Sequence, residues 1–253
     1  MWKEFRVAVS FLTTLPLKYK GEWDEKTFSR ASIFYPLVGV IIGLITVAVM
    51  YLISLTDYVH IAAFTGLLIS IVLSGGLHLD GFMDMCDGLL ASRGPERALE
   101  IMKDSRVGSF SVIGVILLLL AKFLLYDALM VNAAFIFAVL AALTFSRFIL
   151  ICCLLLFPCA RQEGLGVTVK KYVSKAALVF GGIVMLVIIA LSRQWALLIA
   201  FILALALMLA LTQSINRFLN GITGDIMGAM AEIGEAVFLF IYLIYAWFLG
   251  FIL

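Results

Sequence analysis

The chain has 253 residues, of which 64% are hydrophobic and only 13% are charged, about half the charged share of a soluble domain. A composition this apolar excludes a soluble globular domain and points to a polytopic membrane protein. The net charge of +2 says little, because where the charges sit matters more than their sum; no nucleic-acid partner is expected.

In chain order, the stretch 1–17 carries Lys3, Glu4 and Arg6 among apolar residues. It lacks the small-residue cleavage site of a signal peptide and reads as an amphipathic segment on the membrane surface. It opens an interfacial, cytoplasmic stretch over 1–32. Apolar runs long enough to span follow at 33–55, 61–79, 109–128, 133–157, 176–192, 195–213 and 233–253. The predicted fold is all-α: a transmembrane helical bundle of about seven spans, forming one integral-membrane catalytic domain over 1–253. Cys86, Cys152, Cys153 and Cys159 show no zinc spacing and read as small apolar fillers.

Seven spans put the N-terminus and the polar stretches 80–108, 158–175 and 214–232 on one face. That face takes every Lys and Arg except Lys122 and Arg147, which fall inside spans, and Arg193, which falls opposite. By the positive-inside rule it is cytoplasmic.

Three of these stretches carry chemistry. In the first, Asp80, Asp84 and Asp87 are spaced i, i+4, i+7, which on a helix puts three carboxylates within roughly 60° of one another. Like charges this close repel, and a cation relieves them. Oxygen-only donors at a membrane boundary point to Mg²⁺ and a phosphate-bearing substrate. Glu100 and Asp104 share a second helical face, and Lys103 and Arg106 beside them suit phosphate oxygens. Gly81 and Gly88 allow close backbone approach to a ligand. The bland alternative is a solvated loop with helix pairs such as Arg97 with Glu100.

In the second stretch, Asp225, Gly228 and Glu232 share one helical face, with Thr223 placed as an N-cap. Glu232 and Glu235 run into the last span and need a partner there: a metal, Arg217 or Arg147. The third stretch, 158–166, offers Arg161 to an anion, or is a plain connection. His78 reads as a hydrogen-bonded residue at a span end, and His60 as interfacial. From the residues alone the chain is a membrane-embedded, Mg²⁺-dependent enzyme acting on a phosphate or pyrophosphate bond. A transporter or channel with an acidic cation site is the alternative, although such sites usually lie near the bilayer midplane.

Gly-Gly-Leu-His-Leu-Asp-Gly at 75–81, Asp87-Gly88, the run 97–106 and Thr-Gly-Asp-Ile-Met-Gly-Ala at 223–229 closely resemble the adenosylcobinamide-GDP ribazoletransferase (cobalamin synthase) family. Phe11-Leu12-Thr13, Pro36 to Gly39 and Ala160-Arg161 through Gly166 are similar too. The sequence departs from the family's pattern at Thr14, Met85-Cys86 and Asn220, none of which removes a carboxylate. The resemblance implies a late step of cobalamin biosynthesis in the cell inner membrane. A hydroxyl of α-ribazole, or of its 5′-phosphate, attacks the cobinamide-linked phosphate of adenosylcobinamide-GDP, releasing GMP, with Mg²⁺ as cofactor. Membrane lipid is the remaining partner, and the oligomeric state is open.

On that basis Asp80, Asp84, Asp87, Asp104 and Asp225 are the expected catalytic residues. Asp80, Asp84, Asp87, Glu100, Asp104, Asp225 and Glu232 are the expected metal ligands. Lys103, Arg106, Arg161, Gly81 and Gly88 are expected at the substrate phosphates. A CDP-alcohol phosphotransferase-like enzyme is a second alternative, because Asp84-Met-Cys-Asp87-Gly88 matches the opening of that family's pattern; its later Gly-x3-Asp-x3-Asp element is absent.

Overall fold

The computed structural model describes residues 1–17, 19, 21, 24–130 and 135–249. Lys18, Lys20 and the outer ends of two expected spans, 133–134 and 250–253, lie outside the described residues.

Long apolar runs without internal proline become helices because in lipid every backbone N–H and C=O must be satisfied within the segment. The described residues are accordingly all-helical apart from a 3₁₀ turn at Ala31–Phe34 and one isolated parallel bridge. The helices are α1 (Trp2–Leu12), α2 (Glu25–Arg30), α3 (Tyr35–Ser54), α4 (Val59–Ser74), α5 (Leu77–Ala91), α6 (Pro95–Ile101), α7 (Ser109–Leu129), α8 (Phe135–Leu156), α9 (Leu165–Lys170), α10 (Lys175–Ser192), α11 (Trp195–Leu219) and α12 (Gly224–Phe248). Six are long and apolar enough to cross a membrane, α3 with α2 leading into it; α4 and α5 taken together make a seventh, bent by 90°. Large apolar side chains such as Leu117, Leu124, Ile183, Leu191 and Phe240 face outward, as a lipid-facing surface requires.

Two boundaries differ from the sequence expectation, each for a local reason. The second span was expected to run through residue 79, but α4 ends at Ser74. Gly75 and Gly76 adopt φ of 65° and 71°, a conformation that costs an ordinary residue roughly 1–2 kcal/mol. The Gly76 N–H reaches back to the Ile71 carbonyl at 3.3 Å, closing the helix and turning the chain into α5. The last span was expected from residue 233, but α12 begins at Gly224. The Thr223 hydroxyl accepts the Ile226 N–H at 3.2 Å, so the polar stretch is the first part of the helix.

The middle of the bundle is α8, buried along almost its whole length. Ala138, Ala141, Ala142, Ser146, Cys152 and Cys153 are small enough for neighbours to approach closely, the usual device for packing helices where lipid supplies no hydrophobic drive. Against it, α3 brings Gly39 onto the Leu143–Thr144 backbone and Gly43 onto Leu140. All four cysteines are free, three of them buried, in keeping with their reading as fillers. The N-terminal segment does not simply float on a surface. Val7, Ala8, Val9 and Leu12 of α1 are buried. The Thr14 N–H donates to the Leu73 carbonyl at 2.8 Å, pinning this segment to the end of α4.

Candidate active site

The starts of α5 and α12 cross at close range. A Cβ built on Gly81 would lie 2.8 Å from the Asp225 carbonyl oxygen, so only glycine permits this contact. At the same crossing Gly228 sits on the His78 backbone. Two sequence segments more than a hundred residues apart thus meet, with Asp80 and Asp84 on one helix and Asp225 on the other.

The loop after α8 completes the group. The Ile222 N–H donates to the Pro158 carbonyl at 2.9 Å, and the Ala160 N–H to the Ile222 carbonyl at 3.0 Å. This short ladder is the bridge between Cys159 and Ile222. It needs a tight reversal after α11, where Asn220 at φ 55° ends the helix and Gly221 follows at φ 146°. Asparagine is among the few residues that tolerate the left-handed region, which explains how it serves at this position. The ladder delivers Arg161 to Asp225, with 3.2 Å between Nη1 and Oδ2. The approach is that of an ion pair without a well-directed hydrogen bond: Arg161 Nε and Nη2 and Asp225 Oδ2 are buried with no hydrogen-bond partner among the described residues.

Asp80, Gly81, Arg161, Glu163 and Asp225 line one side of a cavity of about 260 Å³. Asp84 is not in its wall but stands within electrostatic reach of Asp225, Asp80 and Arg161. The arrangement combines repelling carboxylates with a guanidinium that keeps free N–H groups, which suits a phosphate ester and a cation.

Other expected site residues are placed elsewhere. Asp87 is buried, and its two oxygens accept the backbone N–H groups of Gly108 at 2.8 Å and Ser111 at 3.0 Å. It caps the N-terminus of α7, where orphan donors and the helix dipole both favour a carboxylate. Gly88 packs on Met102 and Ala98, making it a helix contact between α5 and α6 rather than a phosphate cradle. Glu100 pairs on the surface with Arg97 at 2.9 Å, the bland alternative for that loop. Asp104 binds Arg106, itself 88% exposed, and the guanidinium holds the Asp104 carboxyl at about 2. Lys103 is exposed beside them. The loop 100–106 is therefore self-paired and does not line the cavity.

Glu232 is also corrected. It is buried and bound to Lys122 at 2.8 Å, and the same Nζ reaches Glu235 at 2.9 Å. The Tyr126 hydroxyl donates to Glu235 at 3.0 Å, and Arg147 lies within electrostatic reach of both acids. The partner of the two glutamates is Lys122 rather than Arg217, which is exposed. The spacing of Lys122 and Tyr126, i and i+4 on one face of α7, was the signal that they act together. His60 is exposed and pairs with Asp127 at 2.6 Å. His78 is buried, but its Nδ1 has no hydrogen-bond partner among the described residues, contrary to the bonded histidine expected.

Comparison with known proteins is consistent along nearly the whole chain. The cobalamin-5-phosphate synthase (CobS) family model matches residues 4–243. An adenosylcobinamide-GDP ribazoletransferase of Desulfitobacterium hafniense (strain Y51) is 36% identical over 92% of this chain and 93% of its own length. Enzymes of the same name from Shigella dysenteriae serotype 1 (strain Sd197) and Escherichia coli (strain K12) are each 34% identical over 94% of this chain and 98% of theirs. No solved structure matches the chain. With the family model and full-length relatives in agreement, the chain belongs to the cobalamin-5-phosphate synthase family.

Proposed function

We infer that the chain is an adenosylcobinamide-GDP ribazoletransferase acting late in cobalamin biosynthesis, with its active site facing the cytoplasm. The observation that carries this reading is the cavity where Asp80, Asp225 and Arg161 meet, in a chain whose relatives bear that name. The reaction is a displacement at phosphorus. A hydroxyl oxygen of α-ribazole, or of its 5′-phosphate, bonds to the cobinamide-linked phosphorus. The bond from that phosphorus to the pyrophosphate bridge breaks, and GMP leaves with the electron pair.

This chain's residues have distinct tasks. Arg161 has two unpartnered buried nitrogens to offer phosphate oxygens, and its planar fork orients as well as attracts them. Asp80, in the cavity wall, takes the hydroxyl proton. The Arg161–Asp225 contact holds the guanidinium in place until substrate arrives.

Mg²⁺ is the cation we assign to the cluster. No group of three acidic, His or Cys side chains among the described residues is arranged to hold a metal. Mg²⁺ does not require such a group: it is commonly held by one or two carboxylates together with substrate phosphates and water. Asp84 and Asp225 would hold it, the latter through Oδ2, which Arg161 approaches without a hydrogen bond. When bound it supplies charge neutralisation to the pyrophosphate. A cation transporter is disfavoured because the buried acids of α12, Glu232 and Glu235, are already paired with Lys122, with Arg147 in electrostatic reach. The test is a membrane fraction supplied with adenosylcobinamide-GDP, α-ribazole and Mg²⁺. GMP and a cobalamin product in equal amounts are expected; absence of both, with the protein present in the membrane, overturns the assignment.

A further inference from the structure

The transfer chemistry uses only one side of the cavity. The other side is built by α1, the first turn of α3, the end of α8 and α9, and is apolar: Phe11, Leu150, Leu154 and Val169. Two polar side chains are set into the cavity lining and have no task in the steps above. Tyr35 is 2% exposed and His78 is 4% exposed. The Tyr35 hydroxyl and the His78 Nδ1 are both buried without a hydrogen-bond partner among the described residues. Leaving such groups unsatisfied costs roughly 1–3 kcal/mol each, a cost that persists in functional sites where a ligand supplies the missing partner.

We propose that this apolar side is the acceptor subsite, in which Tyr35 and His78 select the benzimidazole nucleoside. The inference rests on the ribazole-transfer reading and deepens it. Size supports it: the whole cavity, its phosphate side included, is about 260 Å³, at the small end for ligand pockets, which leaves the apolar side room for a flat heterocycle and none for the corrinoid. Chemistry supports it too. The base is flat, methylated and apolar except for one unsubstituted ring nitrogen that accepts a hydrogen bond. The Tyr35 hydroxyl donates to that nitrogen while Phe11, Leu150 and Leu154 cover the ring. His78 also belongs to the cavity lining, and its Nδ1 meets a ribose hydroxyl.

The test compares α-ribazole with its indole analogue, in which carbon replaces the ring nitrogen. Wild-type protein should prefer α-ribazole by roughly 3- to 10-fold in kcat/KM, the worth of one neutral hydrogen bond. Tyr35→Phe should raise the KM for α-ribazole by the same factor. It should leave the indole analogue and adenosylcobinamide-GDP unchanged, and the melting temperature no lower. His78→Gln should weaken both acceptors alike. The proposal is overturned if Tyr35→Phe affects both acceptors equally, or affects adenosylcobinamide-GDP as strongly as the acceptor. A wild-type preparation that forms no product overturns the transfer reading instead. In that case calorimetric binding of α-ribazole to the solubilised protein decides the subsite, and wild-type and Tyr35→Phe binding equally would sink it.

Discussion

At the scale of single residues, the three aspartates of α5 look equivalent in sequence and are not equivalent in the fold. Asp80 lines the cavity, Asp84 lies outside its lining within electrostatic reach of Asp225, and Asp87 holds the start of α7. This separates two substitutions that would otherwise be expected to behave alike. Asp84→Asn should abolish turnover with little change in stability, because Asp84 makes no side-chain hydrogen bond among the described residues. Asp87→Asn places an amide N–H₂ against a backbone N–H and should cost about 1–3 kcal/mol of stability. Melting curves in detergent beside GMP-release assays check the contrast; equal melting of the two variants would return Asp87 to the acid cluster. A second residue-scale expectation concerns Lys122. Lys122→Met strands two buried carboxylates, and breaking a buried ion pair from one side costs about 3–5 kcal/mol. Loss of folded protein from the membrane, or a large fall in melting temperature, is the expected readout. The pairing was legible only in part: an intramembrane lysine predicts a partner, but which acid it meets depends on how α7 lies on α12.

At the scale of elements, the site depends on how closely two helices can approach. The α5–α12 crossing has no room for a side chain at Gly81, whereas a Cβ at Gly94 would meet nothing. Gly81→Ala must push the Asp225 backbone away, and over-packing of this kind costs typically 1–3 kcal/mol. It also displaces Asp225 from Arg161. We expect Gly81→Ala to lose most activity and Gly94→Ala to keep it, measured as GMP release at matched membrane levels. The helices themselves were legible from apolar run length. The 90° turn between α4 and α5 was not, although the Gly75-Gly76 pair that makes it stands in the sequence. Two glycines permit a reversal without dictating it, and α4 continues as far as lipid and neighbouring helices favour it.

At the scale of the whole molecule, the distribution of charge predicts sidedness. Single cysteines at Arg97, Lys171 and Asn220, in a background lacking the natural four, should react only from the cytoplasm, and one at Arg193 only from outside. All four positions are exposed, so accessibility is not the obstacle. Reaction of Arg97→Cys and Arg193→Cys from the same side would contradict the span count.

The amino-acid pattern alone determined the membrane class, the helical fold, six of the candidate spans and the family motif, because each rests on local requirements: hydropathy over a bilayer's thickness, internal backbone hydrogen bonding and short runs of chemistry-bearing residues. It also pointed to two segments, 80–106 and 223–235, of which the structure brings the starts of α5 and α12 together. Tertiary structure decided which members of those segments share a site. A helical face gives a residue's direction but not what lies opposite. Asp225 meets Arg161 because the Cys159–Ile222 ladder puts it there. Glu232, two turns further along the same face, meets Lys122 instead. Like charges on one helix face are resolved by whatever each neighbour brings, and that is a property of packing between distant parts of the chain.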